Sequence, residues 1–304
     1  MVRVIFECHD PAIRGQSARQ PDRGISTQRA DTLSFAAWEN IKTYVNLEPR
    51  IAIRYVLKDG QSIKGSYNRM VQNTHLIASG TVPLPFNTWS PSGYYLEPQL
   101  ADQVALGYFR NFSDNVYEAS VEGYYKEMKH VTDFADNAQL FFNDDLSTEF
   151  RQGDSWAYGA EFMVTKTRGK LTGSVSYTWS KVLRKIPGVN LGQEFYANHD
   201  RRNVANISAS YDLNDKWSFG ATFNYSTGRP ITLGAGKFEF GPYSPGVITE
   251  RNGYRLPDYH RLDISATLNP RKNKNRKLQG QWIFSVYNAY NRQNPFTIYT
   301  RTRM

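Results

Sequence analysis

Five histidines, His9, His75, His130, His199 and His260, are the strongest metal-ligating side chains in the sequence. No two stand four residues apart, so none share a helical face in the way a zinc site on a helix requires. Exposed or rim positions account for them, and no metal and no cofactor is expected. Cys8 is the single cysteine, which excludes an intrachain disulfide and any cysteine-rich metal centre. The carboxylates Asp144 and Asp145 are adjacent and do not face each other, so a solvated loop explains them better than a calcium site or an acid–base pair. No nucleophile–base–acid constellation stands out, and no enzyme is expected. What remains is binding. Trp89, Tyr94, Tyr95, Phe141 and Phe142 fall in long, turn-rich segments, where aromatics beside polar groups suit contact with a bulky solute. The same residue types also suit the aromatic rim of an apolar wall.

Charge points away from nucleic acid. The formal net charge is +9, yet the basic residues are spread along the chain rather than gathered on one patch. One dense cluster, Arg271 to Lys277, resembles a phosphate-binding or localisation run; a solvated turn between two strands is the simpler reading.

The elements that must position these residues alternate with period two, so successive side chains point to opposite faces of a strand. In GKLTGSVSYTWSK (169–181), Leu171, Val175, Tyr177 and Trp179 share one face. Thr172, Ser174, Ser176, Thr178 and Ser180 share the other. Five hairpins repeat this polarity. The first joins Ile51–Leu57 to a strand carrying Ile63, Gly65 and Tyr67 through Asp59-Gly60, a strong hairpin signal. The others pair 102–112 with 116–127, 154–166 with 170–181, 202–212 with 216–227, and 259–269 with 278–291. That makes ten strands, with an eleventh considered at 296–302. Residues 1–46 keep no period and read as an irregular segment ahead of a sheet region over 47–304.

Three features favour a membrane barrel over a soluble sheet. Turns inside pairs are short, while the links 70–100, 128–153, 182–200 and 228–258 are long, as in up-and-down outer-membrane barrels. A strand of ~13 residues at ~3.3 Å each, tilted ~45°, spans ~30 Å, about a hydrocarbon core. The polar face holds Ser, Thr, Asn, Lys and the acidic Glu118, Glu122 and Glu161; these cannot fill a dry core without partners, whereas a wet lumen suits them. Leu171, Val175, Tyr177 and Trp179 are therefore expected to face lipid, and Glu118, Glu122 and Glu161 the lumen. The mean hydropathy of −0.59 does not oppose this, because only alternate residues of a barrel strand need be apolar. Propeller blades also repeat at ~50 residues, but they use four short strands each.

Several runs resemble the C-terminal barrel of TonB-dependent outer-membrane receptors, in the branch with a carboxypeptidase-regulatory-like domain ahead of the plug. They are Phe195–Arg202 (FYANHDRR), Tyr225–Thr232 (YSTGRPIT), Pro257–Asp263 (PDYHRLD) and Val286–Phe296 (VYNAYNRQNPF). Asn46–Arg50, Ser66–Arg69, Trp89–Ser92 and Pro98–Gln103 fit the same branch, so the resemblance covers about residues 45–296. It implies an all-β, antiparallel up-and-down transmembrane barrel of roughly 22 strands, of which ten or eleven are here. It further implies residence in the Gram-negative outer membrane, contact with outer-membrane lipid, and import of a bulky, scarce solute such as a siderophore or glycan. Energy would come from the TonB system acting through a plug. Against that pattern the signal peptide, regulatory-like domain, plug, TonB box and first barrel half are missing. The chain therefore reads as a fragment, both ends included, unable to transport alone. A passive porin and a soluble β-sheet binding module are the other classes the residues admit.

Overall fold

The computed structural model describes residues 2–4, 18–19, 32–33, 40, 42–77, 88–136, 138, 146–237, 246–248, 250–269, 280–295 and 298. Eleven strands form one antiparallel sheet: ten follow one another in sequence order, and the two-residue strand Phe195–Tyr196 pairs with the end of the sixth. The ten are β1 (Arg50–Lys58), β2 (Gln61–Gln72), β3 (Gln99–Phe112), β4 (Tyr117–Phe134), β5 (Phe150–Lys166), β6 (Leu171–Lys185), β7 (Asn203–Asp212), β8 (Trp217–Ser226), β9 (Tyr259–Leu268) and β10 (Trp282–Val286). Each of the five expected hairpins is present. The eleventh strand considered at 296–302, and the basic run Arg271–Lys277, fall outside the described residues.

The short turns use left-handed backbone where the sequence supplies residues that tolerate it. Gly60 has φ 72° at the β1–β2 turn and Gly169 has φ 101° at the β5–β6 turn. Ser113, Asp114 and Asn115 do the same between β3 and β4; Asn and Asp are the non-glycine residues most often found there. At the other rim the links are long, over 73–98, 135–149, 186–202 and 227–258.

Two strands run further than the alternation suggests. β4 has 18 residues and β5 has 17, about 55–60 Å of extended chain at ~3.3 Å per residue. Reading the period places the end of β4 near residue 127. The structure continues it to Phe134 through a β-bulge, where Met128 pairs with Ser155 but Val131 pairs with Gly153. Two residues, Lys129 and His130, thus face one. His130 has φ 58°, and its ring is held by the Pro98 carbonyl at 3.1 Å and by Glu97 at 3.2 Å. The bulge shifts the phase by one, so Val131 and Asp133 join the face of Glu122. The sequence period breaks there although the strand does not.

The sheet does not close: among the described residues β1 pairs only with β2, and β10 only with β9. Its small apolar cores lie at the long-loop rim. Ile77, Leu96, Phe134 and Phe150 form one cluster and Ile186, Val189 and Phe195 another. The first is supplied by the 73–98 segment, whose short hairpin Thr74–Ile77/Thr88–Pro91 sits over the ends of β4 and β5. The N-terminal region contributes two short pairings, Val2–Val4 with Val45–Leu47 and Ala18–Arg19 with Thr32–Leu33.

Candidate functional site

Strand register assigns every wall residue to a face. One row across the first face reads Ile63, Tyr108, Val121, Phe162, Tyr177, Ala205, Tyr225. Another reads Arg110, Ala119, Val164, Val175, Ile207, Phe223, Leu262. Leu106, Val164, Val175 and Ile264 are between 43% and 64% exposed, a continuous apolar surface far beyond what a monomer leaves in water. Aromatics border it. Trp217 and Phe219 stack at 6.2 Å near the short turns, and Tyr158 and Trp179 pack at 6.0 Å near the long loops. Charge returns only at the edges. Lys166 lies over Tyr117 and Arg110 over Phe112 at the turn rim, as snorkelling cations do. Arg69 makes a two-pronged pair with Asp102 towards the loop rim, at 2.7 and 2.9 Å, joined by the Tyr67 hydroxyl at 2.6 Å.

The second face is rich in hydroxyl and charged groups, with Phe109, Met163, Val204 and Ile283 scattered among them. Its rows read Ser174, Ser208, Thr222, Asp263 and Thr172, Ser210, Gly220, Ser265, Ser285, with Ser174 and Ser208 hydroxyls 3.0 Å apart. A hollow of about 380 Å³ opens here beside Ser208, Thr222, Asp263, Ser265 and Tyr287. Charge gathers in the other half, where Lys64, Gly107, Glu122 and Glu161 stand in one row. The two glutamates are directly opposite, an unfavourable like-charge pair on a sheet. Gly107 gives one of them room: a Cβ there would lie 3.0 Å from a Glu122 carboxylate oxygen. Glu118 stands two pairs along, opposite Thr165.

The loop rim is closed over by side chains from distant segments. Arg251, 1% exposed at its side chain, bonds Asp133 at 2.6 Å, and Arg184 reaches the same carboxylate at 3.4 Å. Asp136 lies 3.8 Å from Arg251. The Arg251 amide donates to Asn190 Oδ1 and the Asn252 side chain donates to the Tyr196 carbonyl. Asp200, fully buried, pairs with Arg255 and accepts from the Val182 amide at 2.6 Å. The link between β8 and β9 therefore crosses to β4 and β6 and is pinned there. Nothing in the local sequence announces this, because Asp133 and Arg251 stand 118 positions apart.

The runs singled out in the sequence act as clamps at the same rim. Asp258 accepts from the Tyr225 hydroxyl at 2.7 Å and from the Gly228 amide at 3.1 Å. Only glycine fits at 228, since a Cβ would lie 1.6 Å from the Leu256 carbonyl oxygen. Asp263 takes Arg261 at 2.8 Å and the Asn288 amide at 2.9 Å, with Arg261 over the Tyr287 ring at 4.0 Å. Asn294 brackets the His260 backbone with an accepted and a donated bond, extending the β9–β10 pairing past the last β10 residue. A family model described as TonB-dependent receptor-like, β-barrel, matches residues 24–291. The chain belongs to this family.

As a member, it is a β-barrel protein of the Gram-negative outer membrane, and its open sheet is part of a barrel wall. The ferripyoverdine receptor of the Pseudomonas aeruginosa outer membrane superposes with a TM-score of 0.58 at 13% identity, over 82% of this chain and 29% of that one. The ferric-catecholate import receptor Fiu of E. coli K12 gives 0.55 at 15% identity, over 92% and 35%. The FrpB iron transporter of Neisseria meningitidis gives 0.51 at 15%, over 82% and 35%. These likenesses concern the fold, and the chain spans about a third of each relative's length. No curated protein matches it by sequence.

Within this TonB-dependent receptor barrel, the expected loop aromatics lie apart in role. Trp89 is 66% exposed on the 88–91 strand, opposite Leu76. Tyr94 and Tyr95 meet edge to face at 4.9 Å, with Lys42 5.7 Å from the Tyr94 ring. Phe141 and Phe142 lie outside the described residues. Leu171, Val175, Tyr177 and Trp179 share the apolar face, and Glu118, Glu122 and Glu161 the polar one. Among the described residues no group of three or more His, Cys, Asp and Glu side chains could hold a metal.

Proposed function

We propose that this wall is one part of a TonB-dependent importer that admits a bulky, scarce solute, a siderophore, a glycan or a molecule of like size, across the outer membrane. The observation that carries the reading is the division of the sheet into a continuous apolar face and a hydroxyl-rich, charged opposite face, in a family of energised receptors. The apolar face meets lipid and the polar face lines the lumen. The similar structures are those of a ferripyoverdine receptor, a ferric-catecholate import receptor and an iron transporter, which supports an iron chelate as the first solute to try. The exposed Trp89 and Tyr94 are contact candidates at the mouth, and Phe141 and Phe142 belong to the same proposal. The wall is not competent by itself: among the described residues β1 and β10 each keep an unpaired edge, which lipid does not tolerate, so they need further strands beside them, and TonB acts through a plug in the lumen.

The test is uptake of radiolabelled ferric chelates and oligosaccharides by cells whose only receptor of this family carries this wall. Saturable uptake that stops on deletion of TonB or addition of a protonophore is the expected result. Uptake that is linear in solute and indifferent to both would mean a passive pore.

A further inference from the structure

The upper end of β4 carries a clamp on each face of the wall, and one bulge puts both in place. On the outer face, that of Trp156 and Val164, Gln152 brackets the Glu97 backbone, accepting from its amide at 2.9 Å and donating to its carbonyl at 2.8 Å. The same side-chain nitrogen donates to the His130 carbonyl at 3.1 Å and the Thr132 hydroxyl at 3.2 Å. The His130 ring holds the Pro98 carbonyl and the Glu97 carboxylate, and Phe134 packs with Phe150, Ile77 and Leu96. On the lumen face, Asp133 joins β4 to Arg184 of β6 and to Arg251 of the β8–β9 link. The left-handed backbone of His130, φ 58°, costs a non-glycine residue free energy and persists only where its surroundings hold it. Gln152 and the 97–98 segment are what hold it. A slip of one residue exchanges the faces of a strand. Without the extra residue, Asp133 would stand opposite Phe150 on the outer face, and Phe134, now paired with Phe150, would turn into the lumen. Arg184 and Arg251 would lose their shared carboxylate, and Ile77 and Leu96 the ring they pack on.

We propose that the bulge at Lys129–His130 is a register switch that couples the 88–98 segment on the outer face to the 250–258 segment pinned from the lumen face. Whatever lifts Glu97 and Pro98 from the wall lets β4 slip and frees Arg251. Whatever draws Arg251 away loosens Glu97 and Pro98 in turn. The element has two discrete registers and both segments bias the same one, which is the physical requirement for coupling between sites. Linkage makes the effect reciprocal. A solute or partner that engages one long link thus alters the other without touching it. The inference rests on strand register and not on import, so the uptake test neither supports nor overturns it.

The receptor carrying this wall, in outer membranes and with Cys8 replaced by alanine, is treated with trypsin and cleavage after Lys237 is timed, since the rate follows the population of the opened link. Thr132 and Gln152 are directly opposite, so a disulfide in T132C/Q152C fixes the bulged register although the Gln152 bracket is gone. In V131C/Q152C the two positions meet only after the slip, because they now point to opposite faces. Reduced, either variant should be cut at least about fivefold faster than the parent, the lower end of typical coupling. Oxidised T132C/Q152C should return to the parent rate, and oxidised V131C/Q152C should stay as fast as its reduced form. Slowing in both oxidised variants would mean general bracing of the rim. That result, equal rates for oxidised and reduced T132C/Q152C, or failure of either disulfide to form would overturn the proposal. Heat-modifiable mobility reports folding. If the reduced variants lose it, single changes decide: His130→Ala should hasten the same cleavage about fivefold, and Arg251→Met should hasten exchange of the Glu97 amide as much. A parent-like rate in either would equally overturn the coupling.

Discussion

Val175 and Ser176 are neighbours on β6 and lie on opposite faces. Arginine at 175 would sit among Val164, Ile207 and lipid, and should cost ~2–4 kcal/mol in an intact barrel at mid-depth. Arginine at 176, beside Met163 and Asn206, can reach lumen water and should be mild; assembly into heat-modifiable barrel measures both. Equal effects would mean the wall is inside out. A second residue-scale prediction concerns His75 in the rim hairpin. It is 3% exposed, bonded to Ser92 at 3.1 Å, and burial pushes its imidazole below the ordinary 6.5, helped by the nearby His130 charge. A depressed histidine leaves the unfolded segment to take up the proton first, so the hairpin loses stability as pH falls below about 6.5 and is indifferent above it. Amide exchange across 74–77 and 88–92 should quicken on acidification, and His75→Gln should remove most of that dependence.

At the scale of elements, the ten strands were legible because alternation, Asp-Gly and Asn-rich turns and the short–long rhythm of links all agreed. The phase break at Lys129–His130 hid the end of β4, since a bulge moves Asp133 onto the other face without ending the strand. The pinned link between β8 and β9 was not legible at all. Arg251, Asp133 and Arg184 lie on three elements, and only the folded register brings them together. The pin should respond asymmetrically to substitution. Asp133→Asn leaves two buried guanidiniums without their shared carboxylate and should destabilise the rim by about 3–5 kcal/mol. Arg251→Met leaves Asp133 its bond to Arg184 and should cost less. Limited proteolysis between 227 and 258 should therefore be fastest in Asp133→Asn, intermediate in Arg251→Met and slowest in the parent; equal rates would show that the charge pair does not hold the link.

At the scale of the whole molecule, the family was legible in clustered runs whose residues prove to be clamps: Asp258 on Tyr225 and Gly228, Asp263 on Arg261 and Asn288, Asn294 on His260. Such residues mark a barrel rim and say little of cargo, which explains why fold and family could be read while solute could not. The loop aromatics expected to touch solute have no comparable geometric signature; Trp89 and Tyr94 simply stand exposed. What the sheet does specify is direction, because a wall of this length with one apolar and one hydroxyl-rich face has one orientation in a bilayer. A cysteine scan of residues 171–180 in native outer membranes, with Cys8 replaced by alanine and a spin label at each position, measures that directly. Period two is expected, with Leu171, Val175, Tyr177 and Trp179 relaxed by lipid-soluble oxygen and Thr172, Ser174, Ser176, Thr178 and Ser180 by an aqueous nickel complex. The opposite phase, or no period at all, would contradict it.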